Sequence, residues 1–264
     1  MNNPDLAFGI DLSRYNTSPD GKTKVDFDVI AAHGPEVVFV AMRAGISWGY
    51  QDPWFATYFS EVGRIGRARL TYHVLYPGEP AEAQMDNFFR ILGSADLSCT
   101  PLVLDLELDH GQSVSQITRC TSESLDIIQK RSGRVPIIYS RAGWVDQYLK
   151  VADLPDVHWW LAQYRWPWPY PLYTPEHACP PAMPVGVDTW LVHQTAARGA
   201  SIGAKATHFM DYDRWNGKKA DVLDYVNASY SKSASHHEPV ICPLDGLPCP
   251  VSKSASHKKF EEVF

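Results

Sequence analysis

The segment Pro101–Asp109, PLVLDLELD, is an apolar run that ends in three carboxylates at alternate positions. In extended backbone successive side chains point to opposite faces, so Asp105 and Glu107 project the same way. Carboxyls about 6–7 Å apart along a strand cannot both ionise freely in a shielded cleft. One is left as a proton donor and the other as an anion, the pairing that cleavage of a glycosidic bond uses. Asp109 falls past the strand, in solvent.

A carboxylate pair of this kind needs a scaffold, and the chain repeats the same strand end eight times. The runs are Ala7–Ser13, Val37–Ala44, Arg69–Val74, Pro101–Glu107, Val135–Ser140, His158–Tyr164, Thr189–Thr195 and Thr207–Asp213, each apolar and stopping at polar residues. Near-continuous apolar strands imply burial on both faces, as in parallel sheets. A helix-like segment follows each of the first five runs: Asp26–His33, Asp52–Ile65, Pro80–Leu92, Ser113–Arg131 and Ala142–Lys150. Pro80 and Ser113 are start signals, and Gly93 and Gly133 are stops. The alternation predicts an α/β fold, an irregular TIM-like (β/α) barrel with five regular units and helix-poor closing strands. Arg165–Asp188 carries seven prolines and cannot be a helix. Thr195–Ala206 reads as a hairpin connection, and Lys218–Tyr230 as a final helix or loop. The barrel is expected to span residues 1–230. The hexapeptide SKSASH occurs at Ser231–His236 and again at Ser252–His257, so 231–264 reads as a low-complexity, flexible tail.

In such a barrel the active site lies at the C-terminal ends of the strands. Those ends supply Asp11, Arg43, Tyr72 with His73, Asp105 with Glu107, Tyr139, Gln163 with Tyr164, His193 with Gln194, and Asp211. Four carboxylates, three tyrosines and two amides with almost no aliphatics suit a hydroxyl- and acetamido-rich substrate needing acid catalysis. Phosphate is poorly served by a single Arg without a glycine-rich loop. The histidines lack ligand spacing, with neither HExxH nor a two-His-one-carboxylate run, so no metal and no cofactor is expected. Ser13, Ser47 and Ser140 lack a GxSxG elbow.

Bulk properties agree. The 264 residues, 45% of them hydrophobic, can bury one large core, and nine Trp and thirteen Tyr provide rings for sugar stacking. A net charge of −6 argues against nucleic acid, and no apolar run approaches a membrane span. The N-terminus MNNPDLAFGIDLSRYN lacks a basic region followed by an apolar one, which disfavours classical secretion. Cys99, Cys120 and Cys179 read as reduced thiols made in a cytosol. Cys242 and Cys249, bracketing PLDGLP, could close a small disulfide loop, but two free thiols in a plain tail are the preferred reading. With no heptad or long edge strand, a monomer is expected.

FGIDLSRYN, VDFDVIAAHG, VAMRAG, GYQDPWFATYF, YHV, PLVLDLE, VPIIYS, WWLAQY, HQT and MDYDRWNG, in this order from Phe8 to Gly217, resemble the family 25 glycoside hydrolases. These are lysozymes of fungi, bacteria and phage lysins. The resemblance implies an irregular β/α barrel that hydrolyses the β-1,4 bond between N-acetylmuramic acid and N-acetylglucosamine in peptidoglycan glycan strands. By motif, Glu107 matches the family's general acid, Asp105 its partner, Asp11 the first-strand aspartate and Asp211 the last-strand aspartate. Tyr72, Arg43, Tyr139, Tyr164, Gln163 and Gln194 would bind substrate. The second strand end reads MRAGIS where the family has a K-A-T-E-G-like sequence, and Val74 stands where an aromatic commonly follows Tyr-His. Both departures bear on substrate preference.

Two routes to the glycosyl intermediate stay open: attack by Asp11 or Asp105, or attack by the substrate's own N-acetyl oxygen. The second is preferred because the implied substrate carries that group. A non-catalytic wall-binding or virion structural protein on the same barrel is the competing class; loss of the acids would mark it, and all four are present. A chitinase-like hydrolase is disfavoured because PLVL precedes Asp105 where that motif has further acids. The expected setting is a phage or prophage lysin, or a virion-borne lysozyme, made in the cytoplasm and acting on the cell wall.

Overall fold

The computed structural model describes residues 6–164 and 180–228. Eight strands close a barrel: β1 (Phe8–Leu12), β2 (Val37–Ile46), β4 (Ala68–Val74), β5 (Leu102–Asp105), β6 (Ile137–Ser140), β7 (His158–Ala162), β8 (Val192–Ala200) and β9 (Phe209–Trp215). β3 (Tyr50–Gln51) is a short hairpin partner of β2 outside the closed ring. β1 pairs parallel with β2, and parallel pairing runs onward through β4, β5, β6, β7 and β8. β9 is antiparallel to both β8 and β1, and so closes the ring. The expected irregular barrel is therefore present.

Each of the five predicted helices forms: α1 (Phe27–Ala31), α2 (Phe55–Arg64), α3 (Ala81–Leu92), α4 (Val114–Ser132) and α5 (Ala142–Tyr148). Local chemistry sets their ends. At α4 the Ser113 hydroxyl accepts from Gln116 N–H while the Gln116 side chain accepts from Ser113 N–H, and Gly133 stops the helix at φ 71°. The hairpin expected at Thr195–Ala206 is the β8–β9 pair, but β8 runs on to Ala200, so the connection is residues 201–208; α6 (Lys219–Asn227) forms in the segment Lys218–Tyr230. Residues 165–179, which hold most of the proline-rich stretch, lie outside the described residues, as does everything from 229 onward, including Cys179, Cys242, Cys249 and both SKSASH copies.

Strand alternation divides the core in two. One layer, including Ile10, Leu12, Val40, Met42, Leu104 and Ile138, packs against the helices. The other fills the barrel with Phe39, Leu70, Val103, Ile137, Trp160, Val192 and Trp215, and Val222 and Val226 of α6 join it. α6 lies across the strand starts, at the end opposite the site. Arg134, just before β6, donates to the carbonyls of Ser98, Tyr225, Val226 and Ala228 there. Gly9 is required inside the barrel, because a Cβ would lie 2.3 Å from the Phe39 ring.

One expectation is corrected. Cys99 is disulfide-bonded rather than a reduced thiol, while Cys120 is free and buried.

Candidate active site

A cleft of about 360 Å³ opens at the C-terminal strand ends, lined by Asp11, Arg43, Ile46, Tyr72, Val74, Tyr76, Asp105, Glu107, Leu108, Tyr139, Trp160, Tyr164, Gln194 and Asp211. All four expected acids and five of the six expected binding residues line it. Gln163 does not. β7 ends at Ala162, and the exposed Gln163 side chain turns away to accept from Ala182 N–H. The cleft is also less polar than its strand ends suggested, since Ile46, Val74 and Leu108 form part of its wall.

The DLE segment works by alternation although β5 stops at Asp105. Leu106 is buried, bonds through its N–H to Tyr139 O at 2.9 Å, and so keeps Glu107 on the cleft side. Ser140 Oγ donates to Leu106 O at 2.6 Å and secures the same turn. Asp105 is 7% exposed, and its Oδ1 has no hydrogen-bond partner among the described residues. The Glu107 side chain reaches water through the open cleft yet is flanked by protein. Burial raises both carboxyls above the usual range; Glu107 charge raises Asp105 further, Arg43 opposes the rise at Asp105 and Arg141 opposes it at Glu107. Mutual repulsion belongs to the pair, which holds one proton to higher pH than an isolated carboxyl would.

Asp11 and Asp211 face each other as cross-strand partners on β1 and β9. Asp11 accepts from Gln194 Nε2 at 2.7 Å, and Gln194 Oε1 accepts from the hydroxyls of Tyr139 (2.7 Å) and Tyr164 (2.8 Å). Burial, then the charges of Asp211 and Asp213, push the Asp11 carboxyl well up, against the pull of the Gln194 bond. Burial and Glu107 push Asp211 up to about 6.

Asp213 was not anticipated as a member of this cluster, although MDYD repeats the alternate-acid signal of DLE. It is fully buried two residues along β9 from Asp211, accepts from Trp160 Nε1 at 3.0 Å, and is raised by burial and by Asp211. Asp52 was likewise missed. Nearly inaccessible, it accepts from Arg43 Nε and Arg14 N–H at 2.9 Å and from Trp54 N–H at 3.0 Å, so it fixes Arg43 in the wall. His73 is structural: burial drives its imidazole down to about 3, and Nε2 contacts Ser47 O at 2.9 Å. Among the described residues no cluster of His, Cys, Asp and Glu could hold a metal ion, and no helix is long and apolar enough to cross a membrane.

A proton-holding carboxyl pair, two further aspartates and a tyrosine-rich wall can protonate a leaving oxygen and stabilise a cationic sugar. Comparison with known proteins points the same way. A family model described as glycosyl hydrolases family 25 matches residues 10–200. Over 144 residues the chain is 26% identical to an autolytic lysozyme of Clostridium acetobutylicum, covering 54% of this chain and 43% of that protein. Over 159 residues it is 27% identical to the uncharacterized protein YegX of Escherichia coli strain CFT073, covering 59% and 56%. The chain thus spans about half the length of the curated relatives it matches. Among solved structures, a bacterial lysozyme from Streptomyces coelicolor superposes with a TM-score of 0.67 at 22% identity, covering 84% of this chain and 97% of that one. A muramidase from Trichobolus zukalii gives 0.65 at 23%, covering 83% and 98%. These structural likenesses show a shared fold.

Proposed function

The chain belongs to family 25 of the glycosyl hydrolases, and we propose that it is a lysozyme that cleaves the β-1,4 bond between N-acetylmuramic acid and N-acetylglucosamine in peptidoglycan. The observation that carries the reading is the Asp105–Glu107 pair on one cleft wall, opposite Asp11 and Asp211.

Glu107 is the general acid. It is the member of the pair open to the cleft, and a bound sugar would strip its remaining water and raise it further. Arg43 favours the anion on Asp105 against that residue's burial, and desolvation of Glu107 by the bound sugar draws the shared proton to it. Protonation of the glycosidic oxygen releases the leaving sugar as an alcohol. The acetamido carbonyl oxygen of the other sugar attacks its anomeric carbon, forming an oxazolinium ion. The unpartnered Oδ1 of Asp105 suits the acetamido N–H, which becomes acidic as that ring closes. Water then adds at the anomeric carbon, with Glu107 taking its proton, and the acetamide is restored. Tyr72, whose hydroxyl reaches toward Leu12 O at 3.5 Å, and Asp211 orient the sugar.

The test is release of reducing ends from purified peptidoglycan by wild type and by Glu107→Gln. Wild type should clear the suspension and expose muramic-acid reducing ends. The variant should lose at least a thousandfold in turnover, on the order of 4 kcal/mol of barrier, yet still bind glycan. Full turnover by Glu107→Gln would overturn the assignment; no cleavage by wild type on several wall types would favour a binding role for the same cleft.

A further inference from the structure

The apolar part of the cleft wall takes no part in the proton transfers. Ile46 and Val74 line the cleft among its acids and tyrosines, and both are half-buried, so their side chains stay open to a bound molecule. An aliphatic patch makes no hydrogen bond with a hydroxyl; it suits a group that gains by leaving water.

The fold places this patch by a local irregularity. In the β2–β4 pair Arg43 stands opposite Tyr72, both facing the cleft, but the next partners are Gly45 with His73 and Ile46 with Val74. Ala44 is an extra residue, packed into the helix-side layer, and this bulge reverses the alternation of β2. In an unbroken strand Gly45 would share the face of Arg43, and Ile46 would point to the helices. With the bulge Ile46 stands beside Val74, and Gly45 takes the outward position, where a Cβ would run into Tyr50 O and Ile91 Cδ1. The turn that follows is fixed as well. Ser47 adopts φ 50°; its N–H donates to Val74 O at 3.0 Å, and its carbonyl accepts from His73 Nε2 and Asn87 Nδ2, both at 2.9 Å.

Val74 is also the register partner of Asp105 on β5. Partners in neighbouring strands project to the same side about 4.8 Å apart, so the patch adjoins the carboxyl whose Oδ1 has no hydrogen-bond partner among the described residues. A ligand group that meets both must carry an N–H donor and an apolar end within that spacing. The acetamido group does, because its methyl lies two bonds from its nitrogen.

We propose that Ile46 and Val74 form a socket beside Asp105 for the methyl of the acetamido group on the sugar whose anomeric carbon reacts, and so act as specificity-determining residues for the acyl substituent. The proposal rests on the lysozyme reading, in which Asp105 Oδ1 meets the N–H of that same group. It also gives a use to the MRAGIS strand end and to Val74, the two places where the sequence departs from the family pattern.

The experiment uses peptide-free, O-deacetylated glycan strands that are de-N-acetylated and then re-acylated, one batch with formyl groups and one with acetyl groups. The N-formyl group keeps the N–H and the carbonyl oxygen and lacks only the methyl. For wild type, kcat/KM should be about fourfold higher on the N-acetyl strands, the worth of burying one methyl. Val74→Thr keeps the shape but sets a hydroxyl against the methyl, and Ile46→Ala removes the other side of the socket. Each should bring the ratio toward one, with thermal melts showing that both variants fold. A wild-type ratio near one, or a ratio unchanged in both variants, would overturn the socket. The same strands titrated calorimetrically into Glu107→Gln, alone and combined with Val74→Thr, separate the two claims. If wild type cleaves neither strand but Glu107→Gln binds the N-acetyl form about fourfold more tightly, and Val74→Thr removes that preference, the lysozyme reading fails and the socket stands. Equal binding of the two strands would refute the socket even where cleavage is normal.

Discussion

Gln194 Nε2 donates to Asp11 Oδ2 at 2.7 Å across the barrel mouth, from β8 to β1, with β9 between them. The amide has no freedom to turn, because its oxygen already accepts two tyrosine hydroxyls. Tyr139, Tyr164 and Gln194 therefore serve Asp11 first, and a substrate meets a wall whose hydrogen bonds are largely made.

Gln194→Glu tests this relationship. The carboxylate would still accept from both tyrosines but could not donate to Asp11, and it adds a negative charge beside it. Both effects raise the Asp11 carboxyl, so the acid limb of the activity profile should move to higher pH. Losing a hydrogen bond to a charged group costs about 1.5–3 kcal/mol, or roughly ten- to a hundredfold in kcat/KM. A pH–rate profile superimposable on wild type would show that Gln194 does not act through Asp11.

Asp211 makes a stability prediction. Its folded value of about 6 exceeds the ordinary 3.8, with burial the main cause, so folding favours the protonated form. The stability that belongs to this preference is complete below about pH 4 and is lost as pH rises through about 6. Asp211→Asn should remove that penalty, gaining on the order of 1–2 kcal/mol at pH 7 and nothing at pH 3.5. Thermal melts of both proteins from pH 3.5 to 7.5 check the difference. A gap that widened toward low pH would have the wrong sign.

How much of this was visible in the chain depends on what each residue needed. The strands were legible because short apolar runs such as VVFV and LVL, bounded by polar residues, suit a doubly buried strand, and α4 because Ser113 and Gly133 write its caps. The acids at 105, 107, 11 and 211 were legible because a barrel collects strand ends. Gln163 and Gln194 looked alike, yet one extra residue beyond β7 turned Gln163 outward, and sequence does not give strand ends to one residue. The bond from Arg14 N–H to Asp52 spans 38 residues and that from Trp160 to Asp213 spans 53, so both depend on elements far apart in the chain. Only the closed barrel sets them side by side.

Arg134 holds α6 by donating to four carbonyls, three of them at the end of that helix, and its guanidinium lies 5.5 Å from the Tyr225 ring. Arg134→Met keeps the stem but leaves those carbonyls without their donor. Denaturant unfolding should show a loss of about 3–4 kcal/mol, in the range for a broken buried network. Activity below the melting transition should persist, because α6 lies at the end of the barrel opposite the cleft. A selective loss of turnover without a loss of stability would contradict this account.

Gly9→Ala should be poorly tolerated. Its Cβ would fall 2.3–2.5 Å from three atoms of the fully buried Phe39 ring, which stacks edge-on against Trp215 at 5.6 Å and has little room to withdraw. Overpacking of this kind costs about 1–3 kcal/mol. Gly9→Ala combined with Phe39→Leu should recover part of the loss in the same unfolding assay, whereas strictly additive losses would place the strain elsewhere.

Asp213 separates charge from shape. One oxygen takes the Trp160 indole N–H and the other has no partner among the described residues, while Asp211 and Asp11 crowd it with like charge. The Trp160 bond and Arg214 oppose this only in part, so burial and the neighbouring aspartates favour the neutral acid over the anion. Asp213→Asn supplies a neutral side chain of the same shape whose oxygen can still accept from Trp160. Its stability at pH 7 should match or exceed wild type. Asp213→Ala removes the acceptor and opens a cavity under the cleft floor, which should cost about 2–4 kcal/mol. Chemical denaturation of the three proteins at pH 7 decides the matter. If Asn were as damaging as Ala, an ionised Asp213 would be the stabilising form, and Arg214 would have to outweigh both neighbouring aspartates.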